Sequence, residues 1–584
     1  MLKFQRYIPC LLTIAGIVLP QAIGYAQQIP QNLTPGALIQ QNNQPWALPQ
    51  ETAPENGEPS NFAPSPKAPK VTPEIEVPKK PPNPAVNSEL KILVTTIHVE
   101  GLTLVPYSQV EPVLAKYRNK ELSFADVQNL TTELTQLYVQ AGYVNSQVYI
   151  PPQRLDNHIL ILKALEVKVG QVKYQQGHWF GPRAVLPRVG LSPGDYLNIH
   201  DLDRSIGLIN DNPDVTLKAQ IEQGQQSATS DLLISGKDQF PYHLTPFFDN
   251  LGRSGIGNQR LGASAVSNNL LGFGDTDYLS GNATNRSYGL TNQYIFPVGP
   301  WGTQLEFDYA FNHSQLGGSL EPLNLVSTAN IYSPMIRQNL IHTDKTNLSA
   351  TLGFDIKNLD TDSLGAPLHH DRIRVLRADL NGYRNDPWGR TFLNQELGLG
   401  VPLFHATTGD ESYVSKAGTG SRFIRFDGGI TRYQKLFWGT SGVLQFRYQY
   451  SPQRLASVEE FQAGGAFTVR GYSEGMTIGD SGYIANAEWY IPIRLFPAKA
   501  QIPFSHDLLN QSTQWVLFSD LGEIVLNHPI IGELTNRVLL SYGTGIRLQL
   551  TKLIVLRLDV GFPLTYVGPN STARIHFGLQ STLF

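Results

Sequence analysis

Val443-Leu444-Gln445-Phe446-Arg447-Tyr448-Gln449-Tyr450 alternates without a break. In an extended chain Leu444, Phe446, Tyr448 and Tyr450 project to one side, and Gln445, Arg447 and Gln449 to the other. The same two-residue period returns near the end of the chain. There Leu540, Tyr542, Thr544, Ile546, Leu548 and Leu550 oppose Ser541, Gly543, Arg547 and Gln549, and Ile554, Leu556, Leu558, Val560 and Phe562 oppose Arg557, Asp559 and Gly561. A soluble β-sandwich also alternates. Here, however, the polar side carries glycines and isolated charges of both signs, as a water-filled lumen would. No helical period is visible from Phe240 to Phe584. These roughly 345 residues, at ~9–11 residues per strand plus turns, make about sixteen antiparallel strands. The expected fold of residues 240–584 is an all-β transmembrane antiparallel barrel.

Composition is consistent with this. Charged residues are 16% of the 584-residue chain, below the ~25% of ordinary soluble proteins. Aromatics are 10% and glycines number 52, which suits tight turns and aromatic girdles. The net charge of -3 leaves no basic footprint, so a nucleic-acid partner is not expected. The only cysteine is Cys10, which rules out a disulfide framework and a thiolate zinc site.

Residues 1–26 read as a secretory signal peptide. Lys3 and Arg6 precede an apolar run from Ile8 to Leu19, and Gly24-Tyr25-Ala26 supplies small residues before a cut. The run is too short to span a bilayer as a helix. Residues 27–88 form a Pro-rich linker, with runs such as Pro78-Lys79-Lys80-Pro81-Pro82. Such a segment cannot bury enough apolar surface to offset its chain entropy and is expected to be an extended, disordered tether.

Between tether and barrel, two stretches alternate in type. Thr95 to Leu104 reads as a strand, and Tyr107 to Tyr117 as a helix with Val110, Val113 and Leu114 on one face. Ser123 is an N-cap, with Asp126 at the third helical position. The helix it opens presents Val127, Leu130, Leu134, Leu137 and Tyr138, and Gly142 ends it. Strands follow at Val144 to Ile150 and His158 to Ala164. From Leu165 the pattern returns more weakly, with a strand at Val167 to Val172, helices at Arg183 to Val189 and Ile199 to Ile209, and alternation at Val215 to Ile221 and Leu232 to Ile234. These give two small α+β domains, 89–164 and 165–239, each large enough to fold.

Two motifs in the barrel region stand apart. Gly464-Gly465-Ala466-Phe467-Thr468-Val469-Arg470-Gly471-Tyr472 places one cation at a loop tip. Phe518-Ser519-Asp520-Leu521-Gly522 places one anion on a strand. A cation on a loop and an anion on a barrel strand point to a loop, around 464–480, folded into the pore and pinned there. The guanidinium of Arg470 can meet the carboxylate of Asp520 with two hydrogen bonds. The attraction is about 4 kcal/mol at ~4 Å and an effective dielectric of ~20, and desolvation removes much of it.

The order β-α-α-β-β resembles the polypeptide-transport-associated (POTRA) domain. Ala141-Gly142-Tyr143-Val144-Asn145-Ser146-Gln147-Val148-Tyr149-Ile150-Pro151-Pro152-Gln153 is similar to the version found in two-partner secretion transporters of the outer membrane. The Val-Arg-Gly-Tyr loop and Phe-x-Asp-x-Gly strand resemble that family too. So do Asp249-Asn250-Leu251-Gly252 with Gly257 and Arg260, and Asn269-Leu270-Leu271-Gly272-Phe273-Gly274-Asp275. The resemblance covers the chain from about Thr95 onward. It implies two POTRA-like domains in the periplasm, a sixteen-stranded barrel in the outer membrane and export of a large secreted exoprotein without ATP. It assigns Val469, Arg470, Gly471, Tyr472, Phe518, Asp520 and Gly522 to the loop-to-barrel anchor, and Gly142, Tyr143, Pro151 and Pro152 to substrate recognition. The partners so implied are the exoprotein and outer-membrane lipid. A monomeric pore is one state the chain permits.

No catalytic residue, metal or cofactor is expected. Gly479-Asp480-Ser481-Gly482 imitates a serine-protease nucleophile segment but reads as a turn opening a strand. His369-His370-Asp371 reads as a surface turn. Gly255-Ile256-Gly257 precedes no helix and so is no phosphate loop. Thr34 to Ile39 is a poor start for a plug helix because of Gly36. Phe584 ends the chain as in many outer-membrane barrels, yet its phase departs from Ile575, Phe577, Leu579 and Leu583. Two other functions fit a barrel with periplasmic domains less closely. One is a barrel-assembly insertase and the other a diffusion porin.

Overall fold

Apolar residues at three- and four-residue spacing build the first folded unit. In the computed structural model, the described residues are 75–76, 91–154, 156–175, 177–409, 411–493, 497, 501, 512–529, 534–549, 554–566 and 573–582. The signal segment, most of the Pro-rich stretch, Thr34 to Ile39 and Phe584 lie outside them. Strand β1 (Ile75–Glu76) is the described part of the Pro-rich stretch.

The first domain runs β2 (Lys91–Val94), β3 (Thr96–Glu100), α1 (Tyr107–Ala115), β4 (Lys120–Ser123), α2 (Phe124–Gln140), β5 (Gln147–Tyr149) and β6 (Ile159–Leu165). Strand β4, between the helices, was not foreseen from the sequence; it pairs with β2. Ser123 and Asp126 form a reciprocal capping box at the start of α2. At its other end Gly142, with φ of 93°, closes a Schellman turn. The Gly142 N–H donates to Val139 O at 3.0 Å and the Tyr143 N–H to Tyr138 O at 2.8 Å. Val110, Leu114, Val127, Leu130, Leu134 and Tyr138 form the core with Leu160 and Leu162.

Glu166 fastens this domain's last strand back onto its start. Its carboxylate accepts from Thr103 N–H at 2.7 Å, Leu104 N–H at 2.8 Å, Tyr138 hydroxyl at 2.9 Å and the Thr103 hydroxyl. Partial burial works against its charge. The Thr103, Leu104 and Tyr138 donors outweigh that and hold the carboxyl below the ordinary glutamate range.

The second domain consists of β7 (Lys168–Tyr174), α3 (Pro182–Val189), α4 (Ile199–Asn210), β8 (Val215–Gln223) and β9 (Thr229–Asp238). Its sheet has the order β1-β8-β9-β7, so β1 covers the β8 edge. The two domains are joined by hydrogen bonds: Ile199 N–H donates to Gly142 O at 2.9 Å, and the Asn198 side-chain Nδ2 to Ala141 O at 3.1 Å.

The second domain sits against turns at one end of the barrel. Arg204 stacks on Trp301, 4.3 Å from the ring centre, and Asn269 Nδ2 donates to Trp179 O at 3.0 Å. Asp214 receives Asn268 Nδ2 at 2.7 Å and lies 2.9 Å from His243 Nε2.

A closed ring of sixteen antiparallel strands follows. In order these are β10 (Tyr242–Asp249), β11 (Arg260–Ser267), β12 (Thr276–Ala283), β13 (Ser287–Val298), β14 (Thr303–Gln315), β15 (Leu325–His342), β16 (Thr346–Ser363), β17 (Ala366–Asp386), β18 (Gly389–Gly400), β19 (Ile424–Lys435) and β20 (Ser441–Tyr450). After a hairpin of β21 (Phe461–Ala463) and β22 (Thr477–Gly479) come β23 (Ser481–Pro492), β24 (Thr513–Val525), β25 (Asn536–Gln549), β26 (Ile554–Pro563) and β27 (Arg574–Ser581).

Strands β15, β16 and β17 have 18, 18 and 21 residues. That is nearly twice the ~9–11 a bilayer requires, so this side of the wall extends beyond the membrane. Leu444, Phe446 and Tyr450 are exposed on the lipid side, while Val443 and Gln449 are buried within. The ring closes through three residue pairs of β10 and β27, against eight between β10 and β11. Asn250 extends this seam with its side chain, donating to Ile575 O at 2.8 Å and accepting from Phe577 N–H at 2.7 Å. No helix among the described residues is long and apolar enough to cross a membrane.

Candidate functional site

Two-residue periodicity fixes which side chains of β24 enter the bore. Val516, Phe518, Asp520, Gly522 and Ile524 face in, and Trp515 and Ser519 face out. Asp520 therefore arrives on the lumen side with an aromatic two residues before it and a glycine two residues after.

The chain between β20 and β23, residues 451–480, turns into the barrel. Its tip brings Arg470 to Asp520, and both side chains are buried. Arg470 Nε lies 2.7 Å from Oδ2 and Nη2 lies 2.6 Å from Oδ1, a two-pronged pairing. The Arg470 N–H adds a third bond to Oδ2 at 3.0 Å. The guanidinium carbon stands 3.5 Å from the centre of the buried Phe518 ring, a cation–π contact. Nη1 pairs with Glu488 on β23. Asn486, also on β23, donates to Asp520 Oδ1 at 2.8 Å.

The other predicted anchor residues surround this pair. A β-carbon on Gly522 would sit 2.9 Å from Val469 Cγ2, so the missing side chain makes room for Val469. Gly471 has φ of 90°, which only glycine adopts freely. Tyr472 is buried with Val469, Ala463, Ile484, Ile524 and Leu539. Its hydroxyl lies 2.9 Å from Leu540 O and accepts from Thr565 N–H at 3.1 Å.

Several neighbours complete the site without a motif to mark them. Glu488 and Asn486 approach from β23. Asp559 on β26 is bracketed by Arg547 and Arg557, at 2.7 Å each. Gly543 on β25 lies beneath the Phe518 ring, where a β-carbon would come within 2.3 Å of Cζ. A usable signal was present, since Glu488, Asn486, Gly543 and Asp559 all stand on the inward phase of alternating strands.

The four residues assigned to recognition bracket edge strand β5. Gly142 and Tyr143 precede it at the contact with the second domain, and Pro151 and Pro152 follow it. Gln153 then pairs with Ile161 through both ends of its amide, at 2.6 and 2.9 Å.

Asp480 and Ser481, the protease-like pair, hold the base of the loop. Asp480 accepts from Leu455 N–H and Asn527 N–H at 2.7 Å each, and Ser451 N–H donates to Ser481 Oγ at 3.1 Å. His369, His370 and Asp371 lie within β17, paired with β16, and not in a surface turn; His370 lies 2.7 Å from Asp360, and the buried Asp371 accepts from Ser415 N–H at 3.1 Å. Among the described residues no group of three or more His, Cys, Asp and Glu side chains is placed to hold a metal. Asp249 and Arg260 join the first hairpin by two bonds of 2.8 and 3.0 Å. Asp275 accepts from the N–H groups of Leu271 and Phe273, which shapes the next turn.

The profile of the haemolysin secretion/activation proteins ShlB/FhaC/HecB matches residues 228–548, more than half of the chain. The chain belongs to this family. A ShlB-type POTRA domain matches residues 92–166, the first domain. The heme/hemopexin transporter protein HuxB of Haemophilus influenzae (strain 86-028NP) is 23% identical over 426 residues, covering 71% of this chain and 75% of its own. The outer membrane transporter CdiB of Escherichia coli O6:K15:H31 (strain 536 / UPEC) is 23% identical over 410 residues, covering 67% and 68%.

Among solved structures, CdiB from Escherichia coli superposes with a TM-score of 0.68 at 16% identity, covering 98% of this chain and 100% of that one. BamA from Haemophilus ducreyi lacking POTRA domains 1-3 reaches 0.51 at 12% identity, covering 85% and 100%. These likenesses concern the fold. With the family established, the protein is an outer-membrane secretion pore of the two-partner type, its POTRA domains in the periplasm.

Proposed function

We propose that this pore recognises one large secreted protein through its periplasmic domains and passes it through the barrel, with the inward loop closing the bore at rest. The observation that carries this reading is the buried pairing of Arg470 with Asp520 inside a ring of sixteen strands. A bore wide enough for a polypeptide leaks unless something occupies it, and the occupant must be held specifically yet reversibly. A hydrogen-bonded ion pair meets both needs, because its desolvation cost offsets much of its attraction.

The short edge strand β5, between Gly142-Tyr143 and Pro151-Pro152, supports capture of an extended segment of the secreted protein by strand addition. Folding of the cargo outside biases the direction of travel, so neither ATP nor a catalytic group is required. The reading also includes a cleaved signal over 1–26, a spacer over 27–88, domain limits at 89–164, 165–239 and 240–584, contact of the outer wall with lipid, and a monomeric pore.

The three-pair seam between β10 and β27 favours a second reading, a barrel-assembly insertase that opens sideways. Depletion separates the two. Loss of a dedicated exporter removes one large secreted protein, whose gene is expected in the neighbouring reading frame, whereas loss of an insertase lowers many outer-membrane proteins together.

A further inference from the structure

The inward loop is attached to the wall at its root as well as at its tip, and the charges are reversed. At the tip the loop supplies the cation and the wall supplies the anions, Asp520 and Glu488. At the root the loop supplies a fully buried anion, Glu459, and the wall supplies cations. Lys357 Nζ on β16 stands 2.7 Å from Glu459 Oε1, and Arg425 on β19 pairs with Oε2. Arg425 is itself oriented by Asp427, at 2.7 Å from Nε, and by Glu396. Gln449 Nε2 donates to the Glu459 carbonyl at 2.8 Å. Beside this, Leu455, Ala456 and Val458 pack with Ala329, Leu359 and Val375 of β15 to β17.

The two attachments use different strands of the wall. Counting round the ring from β10, Lys357 stands on the seventh strand and Arg425 on the tenth, whereas Glu488 stands on the twelfth and Asp520 on the thirteenth. The loop is therefore held at two separate places.

We propose that Glu459 is a second latch, a positioning residue whose pairing with Lys357 on β16 and Arg425 on β19 holds the loop's root to the wall apart from the Arg470 clasp on β23 and β24. Two-point attachment has a kinetic consequence. When one end lets go, the other keeps it near its site at high effective concentration, so it rebinds quickly. Full opening requires both ends to be free. A loop held only at Arg470 would instead open as soon as that clasp broke. The inference deepens the closed-at-rest reading but does not depend on what cargo is carried.

The test is single-channel recording of the full-length protein in planar bilayers with potassium chloride alone. Variants Glu459→Gln, Arg470→Ala and their combination are compared, after each is shown to be a heat-modifiable barrel. Each single variant should give brief openings, and the double variant an open lifetime longer than either by about 100-fold. Wall-side variants Lys357→Gln and Arg425→Gln approach the latch independently of the loop and should reproduce the Glu459→Gln record, which keeps the test decisive if that variant does not fold. Quiet channels in the wall-side variants, or a double variant no longer-lived than Arg470→Ala alone, would overturn the proposal. Secretion of the cargo is scored separately. A quiet latch with normal export leaves the secretion reading standing, and synergy without export leaves the latch standing.

Discussion

Gly471 and Gly561 meet backbone to backbone, one on the inward loop and the other on β26. A β-carbon on Gly561 would stand 2.4 Å from the Gly471 nitrogen, and one on Gly471 would stand 3.0 Å from the Gly561 carbonyl carbon. The loop tip is thus seated against bare wall, directly beside the Arg470 pairing. This close approach sets how deeply the guanidinium can reach, so the anchor depends on two missing side chains as well as on two charges.

Gly561→Ala is therefore expected to lift the tip without touching a charged residue. Overpacking of this kind costs about 1–3 kcal/mol. The barrel should remain in the membrane and heat-modifiable, while basal conductance rises and secretion falls. Unchanged conductance would show that the glycine contact does not seat the loop.

Arg470→Ala leaves the buried Asp520 and the half-buried Glu488 without their shared cation, a loss of about 3–5 kcal/mol for a broken buried pair. Secretion should stop while barrel assembly persists. Arg470→Lys should recover only part of it, because an ammonium cannot reproduce the two-pronged fork or the stacking on Phe518. Pairing with Asp520 alone would lead one to expect rescue when the two charges are exchanged. The third member changes that expectation. Arg470→Asp with Asp520→Arg sets a loop carboxylate facing Glu488, so rescue should need Glu488→Gln as well. Full rescue by the simple exchange would mean that Glu488 is not a partner.

Glu166 makes the first periplasmic domain sensitive to acid. Its folded carboxyl is held below the ordinary range, so the stabilisation is complete above the unfolded pKa of about 4.3 and is lost as pH falls through the folded value. Melting of this domain should be flat from about pH 7 to pH 5 and decline below about pH 4.3. Glu166→Gln should lower the plateau and flatten the decline, as read by circular dichroism of the detergent-solubilised protein at several pH values. A parallel decline in the variant would assign the acid sensitivity to another group.

Gly142→Ala should disturb the joint between the two POTRA domains more than it disturbs either one. The added carbon would lie 2.4 Å from Asn198 Oδ1, at a φ of 93° that alanine resists. Faster amide exchange at Ile199, which donates to Gly142 O, is the expected signature, with secretion reduced and channel conductance unchanged. If only α2 exchanges faster, the glycine serves the helix end and not the joint.

Much of the architecture is legible in local pattern. Ser123 with Asp126, the apolar face from Val127 to Tyr138 and the closing Gly142 specify α2 within a residue or two, because helix ends are settled by groups three or four positions apart. The inward faces of β20, β24 and β25 follow from strict alternation. Strand β4 was missed because Lys120 to Ser123 is too short to show a period. The extra height of β15 to β17 was missed because alternation does not announce where lipid ends.

The sequence by itself determined a period of two over the last 345 or so residues, two small helical-and-strand units before them, and one conspicuous cation and one conspicuous anion. Their partners were decided only by the closed ring. Glu488, Gly561, Lys357 and Arg425 lie from 18 to 102 positions from the loop residues they meet, and no local rule relates such positions. Closure and strand register place them, because each inward side chain's height and angle in the bore are set by the whole circuit of hydrogen-bonded neighbours rather than by its own segment.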